Sequence, residues 1–375
     1  MAKYVVAGAS SIEDIQCFLD VTRQAGMAIL LVENAAMWQR IPACHRKWVI
    51  CSDEIPCTKI PMIPLNEFWV TRAIQSGTTN ISLHALRASR SKHYLSERLS
   101  QCGVHALPRC YIEDVCAPGP ERYLARLDAG YSGYGIVRHV EVGRFDPQVI
   151  RRAVQDDASA TMRAVLGEDD TRVVVEDWLE GEEYSADVFV NHGQVEVLRL
   201  FRKIIVWING KPVCDSYVAV ASDATLCAAI YDWCAALFSV RCISFGQFDF
   251  IVSAGQAVVV DFSCRIGGGL NAIKQFAGIP SYVGMALVGC MPYFAPFTVQ
   301  KNLVARRSGR LTNIEWSVSG NCQIIGRKQI GDLLSGNISS SSARVAEICF
   351  IADDMKEAIA VASELENMVK IDVHE

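Results

Sequence analysis

The sequence predicts an α/β protein of more than one domain, and three observations carry that expectation. Strand, helix and strand alternate at the N-terminus, the pattern of a parallel sheet with crossover helices. Short apolar runs joined by tight turns fill the middle of the chain, and a helix with good 3.6-residue periodicity lies near its end. At 375 residues, 51% hydrophobic and 21% charged, the chain is long enough for two or three proper cores.

Taken in order, "KYVVAGA", the amphipathic run Ile12 to Gln24 and "MAILLVEN" form the first strand, helix and strand, with "KWVICS" a further strand. Gly8 and Gly26 mark the turns; no GxGxxG is present, so there is no dinucleotide fingerprint. From Ser89 to Leu107, Tyr94, Leu95, Leu99 and Cys102 keep helical spacing, and Gly103 and Pro108 end the run. "RYLARLDAGYSGYGIVRHV" reads as strand, glycine loop, strand, and "RVVVEDWLEGEEYSADVFVNHGQVEVLRLFRK" as strands with turns at Glu180-Gly181 and Asn191-His192-Gly193. A helix near Asp223 to Leu237 leads into a hairpin. The last part holds the strand "ARVAEICFI" and the helix "DMKEAIAVASELENMV", and "SGNISSSS", Ser335 to Ser342, reads as a mobile loop. The uncharged stretch from Lys274 to Lys301 is long enough to raise a membrane span, but its prolines and glycines predict a buried helix and a loop instead.

Net charge is −5 and pI about 5.9, with no Lys/Arg block, which argues against nucleic acid or an anionic membrane as partner and for small-molecule chemistry. Fifteen scattered cysteines, without CxxC or Cys/His spacing, predict free thiols in a reducing cytoplasm. The N-terminal apolar run is too short for a signal peptide.

The stretch "QFDFIVSAGQAVVVDFSCRIGGG" carries the most chemistry. Its apolar runs flank Ser-Ala-Gly-Gln, and a turn centred on Gly255 would oppose Asp249 and Asp261 directly, about 5 Å apart on one face. Like charges so placed repel, and a shared divalent cation is the simplest offset; two strand-end aspartates in water are the plain alternative. Ser263 falls on the same face, and Arg265 with Gly267-Gly268-Gly269 supplies donors suited to phosphate.

In order, the segments resemble the ATP-grasp superfamily. The helix "SKHYLSERLSQCGVHALP", the strand cation before a glycine loop in "ARLDAGYSGYG", the segment "VEDWLEGEEYSAD" and the metal hairpin match its successive motifs. The resemblance implies an ATP-grasp fold: an N-terminal parallel α/β domain over 1–88, an ATP-grasp domain over 89–300 with a lid near 115–175, and a C-terminal lobe over 301–375. It implies ATP and Mg2+ as cofactors. Lys92, Arg126 and the loop glycines Gly130 and Gly133 would meet the nucleotide phosphates. Glu176, Asp177 and Leu179 would lie at the adenine edge, with Glu183 on the ribose. Asp249, Asp261 and Ser263 would hold magnesium, and Arg265 would steady the transferred phosphate. The C-terminal segment is similar to the lobe ending carboxylate-amine ligases of the L-amino-acid ligase type. That branch implies small carboxylate and amine substrates joined through an acyl phosphate, and leaves room for a homodimer.

Four positions depart from the pattern: Asp261 stands for Glu, Ser263 for Asn, Cys264 for Pro and Arg126 for Lys. Asp261 and Ser263 keep open a nucleotide-binding protein without catalysis, and a ligase or carboxylase for bicarbonate or a D-amino acid is a separate alternative. Lys203 either reaches phosphate or guards a sheet edge. Tyr131 and Tyr134 either cap the nucleotide or pack, and His93, His105 and His139 read as surface or core residues.

Overall fold

The structure, a computed structural model, describes the chain apart from residues 1, 9–11, 57–58, 78–79, 116–121, 131–134, 140–144, 158–170, 209–210, 269, 318–321, 335–343 and 375. The loop residues Tyr131, Gly133 and Tyr134, Gly269 and the serine-rich stretch 335–342 therefore lie outside the described residues.

Four sheets organise the described residues. The N-terminal sheet is parallel and contains β1 (Tyr4–Ala7), β2 (Ile29–Glu33), β3 (Val49–Cys51) and β4 (Met62–Pro64) in the order β3-β2-β1-β4. The crossover from β1 to β2 is the helix Ile12–Gln24, so the first predicted unit forms as expected. A second, antiparallel sheet joins β5 (Arg109–Tyr111), β6 (Tyr123–Leu127), β7 (Ile136–His139) and β8 (Val173–Asp177) in the order β5-β8-β6-β7.

The third sheet is the scaffold of the site. It takes β9 (Glu182–Asn191), β10 (Gln194–Ile208), β11 (Lys211–Ala219), β12 (Ile243–Ser253), β13 (Gln256–Ser263), β14 (Thr298–Val304), β16 (Gln323–Gly326) and β18 (Arg344–Ile351). Their order is β13-β12-β9-β10-β11-β14-β18-β16. β15 (Gly309–Trp316), β17 (Leu333–Leu334) and β19 (Val369–His374) form a small fourth sheet.

Period-2 alternation gives the hairpin of β12 and β13 an apolar and a polar face. Ala186, Val188, Phe248, Phe250, Val259 and Phe262 pack in one buried cluster with Val5, Trp69, Leu95 and Trp233, and Phe189 and Phe245 in another with Tyr4, Val6 and Phe18, so two cores tie the large sheet to the N-terminal sheet and its helices. On the hairpin's other face Gln247, Asp249, Ile251, Asp261 and Ser263 line a cleft beneath the second sheet.

Three sequence expectations change in detail. The helical run from Ser89 is broken: one helix ends at Arg90 and the next, Lys92–Gln101, starts on Ser91, whose hydroxyl accepts from the Tyr94 amide at 3.0 Å. Lys203 lies on β10, in the interior of the sheet, so it guards no edge. The uncharged stretch after Lys274 forms the short helices Asn271–Phe276 and Tyr282–Leu287 and loops, and no helix of the described residues is long and apolar enough to cross a membrane.

Candidate functional site

The hairpin of β12 and β13 does oppose Asp249 and Asp261, but not through the turn geometry expected. Ala254 and Gly255 both have positive φ (49° and 79°), as a two-residue type I′ loop requires, and Ser253 pairs with Gln256. Continued regularly, that register would face Asp249 with Val260 and carry Asp261 to the apolar face opposite Phe248. A register shift intervenes between the pairs Phe250–Val259 and Asp249–Asp261, leaving Val260 as an extra residue. This β-bulge returns Asp261 to the polar face.

Two buried arginines hold the bulge. Val260 accepts on its carbonyl oxygen from Arg109 Nη2 at 2.8 Å and Arg126 Nη2 at 2.5 Å. Both guanidinium groups also meet Glu176, which takes Arg109 Nε at 2.5 Å and Arg126 Nη2 at 2.8 Å. Burial would raise the Glu176 carboxyl, but the two guanidinium groups outweigh it and hold its pKa below the usual carboxylate range. Glu176 is therefore an anchor within the cleft wall. Asp177, Trp178 and Leu179, just beyond β8, line the cleft.

Lysines flank the aspartates. Asp249 lies 2.9 Å from Lys203 Nζ, which also donates to Glu183 at 2.7 Å. Burial opposes charge on Lys203, yet Asp249 and Glu183 prevail and push its pKa well above the ordinary value. Asp261 lies 3.4 Å from Lys92 Nζ, which donates to the Gly130 carbonyl at 2.5 Å. Burial lowers the Lys92 pKa, reinforced by Arg126 and Arg109 and opposed by Asp261. Lys92, Arg126, Gly130, Glu176, Glu183, Asp249 and Asp261 thus meet in one place. Gly133 falls outside the described residues.

The donor chemistry fits magnesium in part. Asp249 and Asp261 face each other across the hairpin and line the cleft, and magnesium takes one or two carboxylates with phosphates and waters completing its shell. Ser263 is engaged elsewhere, donating from its hydroxyl to Glu67 at 3.2 Å. Among the described residues no group of three or more His, Cys, Asp or Glu side chains is gathered as a metal set.

Glu67 is a second residue, with Arg109, that the sequence did not single out. It opens the helix Glu67–Ser76, capped by Asn66, and reaches across to accept from Arg265 Nε at 2.8 Å. Burial disfavours charge on Arg265, but Glu67 overcomes it and raises its pKa. The N-terminal sheet's helix therefore closes the end of the cleft where Arg265 sits.

The cleft has a volume of about 630 Å³, within the range of small-molecule sites. Elsewhere on its wall the Arg138 guanidinium stacks against both Trp178 and Trp207, 4.1 and 4.3 Å from the ring centres, while the two indoles lie 5.4 Å apart. Gly181 joins the Trp178 segment to β9 with φ of 156°, and a Cβ there would run into the Val252 carbonyl oxygen on the hairpin. Gly181→Ala should lower stability by about 1–3 kcal/mol, the usual cost of overpacking, because backbone rather than a side-chain tip must yield. Thermal unfolding checks it; an unchanged midpoint would contradict that packing.

A cleft thus lies between a small antiparallel sheet and a larger one, with cations and paired carboxylates converging inside. The particular fold is ATP-grasp. No protein-family model matches the sequence, and no curated protein matches it. The likeness is structural. An L-amino acid ligase from Bacillus licheniformis superposes with a TM-score of 0.71 at 14% identity, covering 100% of this chain and 99% of that one. Biotin carboxylase from Campylobacter jejuni gives 0.63 at 12%, covering 100% and 92%. N5-carboxyaminoimidazole ribonucleotide synthetase from Thermotoga maritima gives 0.62 at 10%, covering 100% of each. At these identities the likeness is one of fold.

Proposed function

We propose that this protein is an ATP-dependent carboxylate-amine ligase that forms an amide or peptide bond on amino-acid-sized substrates, releasing ADP and phosphate. One observation carries the reading: Asp249 and Asp261 are brought face to face among Lys92, Lys203, Arg126 and Arg265 in a single cleft. The ligase and carboxylase neighbours support it at the level of fold.

On this reading residues 1–88 form the N-terminal domain, 89–300 the ATP-grasp domain and 301–375 the C-terminal lobe. Asp177 to Leu179 present backbone to the adenine edge, and Glu183 meets the ribose. Lys92, Lys203 and Arg126 neutralise phosphate charge as the γ-phosphoryl group moves to the substrate carboxylate and ADP leaves; the amine nitrogen then attacks the acyl carbon and phosphate departs. Magnesium held by Asp249 and Asp261 would supply further charge neutralisation on the phosphates. Positioning and electrostatics carry such transfers, so no nucleophilic side chain is needed. Arg265, steadied by Glu67, faces the phosphate that forms and leaves. We place the enzyme in the cytoplasm, with small molecules as its partners and room for a homodimer.

The test is ADP and phosphate release from Mg-ATP with pooled amino acids, with products followed by mass spectrometry. A product of two substrates minus water is expected. Nucleotide binding without ADP from any pool would instead support the non-catalytic reading.

A further inference from the structure

The bulge at Val260 has two arginine donors on one carbonyl, and they are not equivalent. Arg126 lines the cleft, and its Nε is buried without a hydrogen-bond partner among the described residues. Arg109 lies behind it, its side chain 1% exposed, and its fork is spread over three elements: Glu176 on β8, the Lys92 carbonyl at 3.0 Å and the Val260 carbonyl on the hairpin.

We infer that Arg109 is a positioning residue: it keeps Asp249 aligned with Asp261 while Arg126 turns from Glu176 and Val260 toward nucleotide phosphate. The inference rests on the proposed nucleotide and magnesium site. If Arg126 alone held these acceptors, its departure would strand a buried carboxylate and a buried carbonyl, which is costly. With Arg109 in place, both acceptors keep a donor and the bulge persists. The bulge in turn decides which face Asp261 occupies, so Arg109 acts on the carboxylate pair without touching it. The same guanidinium grips the first residue of the Lys92 helix, so helix, second sheet and hairpin share one fastening point. A lysine cannot replace it, because a single ammonium lacks the planar fork needed to reach three acceptors.

The test is Mn2+ binding, read by electron paramagnetic resonance in the presence of a non-hydrolysable ATP analogue, in the wild-type chain and in Arg109→Lys. Nucleotide affinity in EDTA and thermal unfolding are measured alongside. Arg109→Lys should bind Mn2+ at least about tenfold more weakly, the scale seen when an outer partner of a metal ligand is lost. Its metal-free nucleotide affinity should change little. Unchanged Mn2+ affinity would overturn the inference, as would an equal loss of metal-free nucleotide binding, which would mark Arg109 as merely structural. Absence of nucleotide-dependent Mn2+ binding in the wild-type chain would remove the site reading itself. If Arg109→Lys fails to fold, Arg109→Gln, which keeps an amide donor, is judged by the same two affinities.

Discussion

Asp261→Asn should lower magnesium-dependent ADP formation by about 100-fold or more while leaving the chain folded. Lys92, Arg126 and Arg109 together overcome the effect of burial and hold the Asp261 carboxyl below the usual carboxylate range, so its charge is fully present at neutral pH and is what the substitution removes. Losing one preorganised electrostatic contact in such a site typically costs 100- to 1000-fold in rate, and here the lost group is also a proposed metal ligand. The fold should survive because Lys92 retains the Gly130 carbonyl, the amide is isosteric and the Asp261 side chain is 37% exposed. Steady-state ADP release against Mg2+ concentration, with circular dichroism as control, reads both halves. Wild-type magnesium dependence in Asp261→Asn would take the hairpin out of the metal site.

Glu176→Gln should have the largest effect on stability. The carboxylate is 3% exposed between two guanidinium groups, and an amide in its place leaves two buried positive charges facing each other. Removing one partner of such a buried group costs about 3–5 kcal/mol, far more than the pair's net worth against an apolar core. A fall of several degrees in the unfolding midpoint is expected. The pH dependence has a definite sign. Because the folded pKa of Glu176 is depressed below the ordinary 4.5, the unfolded chain binds more protons in acid, so the contribution is complete above that value and is lost as pH falls through the folded one. Glu176→Gln should therefore flatten the acid limb of the stability profile; a wild-type limb would place the acid sensitivity elsewhere.

Much of the fold was legible because it rests on local patterns. The alternation of "KYVVAGA" and "MAILLVEN", the periodic C-terminal helix and the apolar runs around Gly255 each report on neighbours a few residues away. The pairing of Asp249 with Asp261 was also anticipated, yet by a symmetric turn that does not occur. The real cause, an extra residue at Val260, has no marker of its own: neighbouring valines on β13 look alike, and the bulge is selected by arginines far away in sequence. Arg109 and Glu67 escaped for the same reason. Their partners are 67 and 198 residues distant, and nothing beside them in the chain announces a long-range ion pair. The sequence leaves Lys203 between two roles because its place in the strand order is a tertiary fact.

Arg138 carries a practical consequence. Of seven tryptophans, two flank this one guanidinium, one beside the second sheet and one on the large sheet. A movement of the second sheet away from the large sheet would part Arg138 and Trp178 from Trp207 and change the surroundings of both indoles. Indole emission would therefore report, without a label, on the distance between the second sheet and the large sheet.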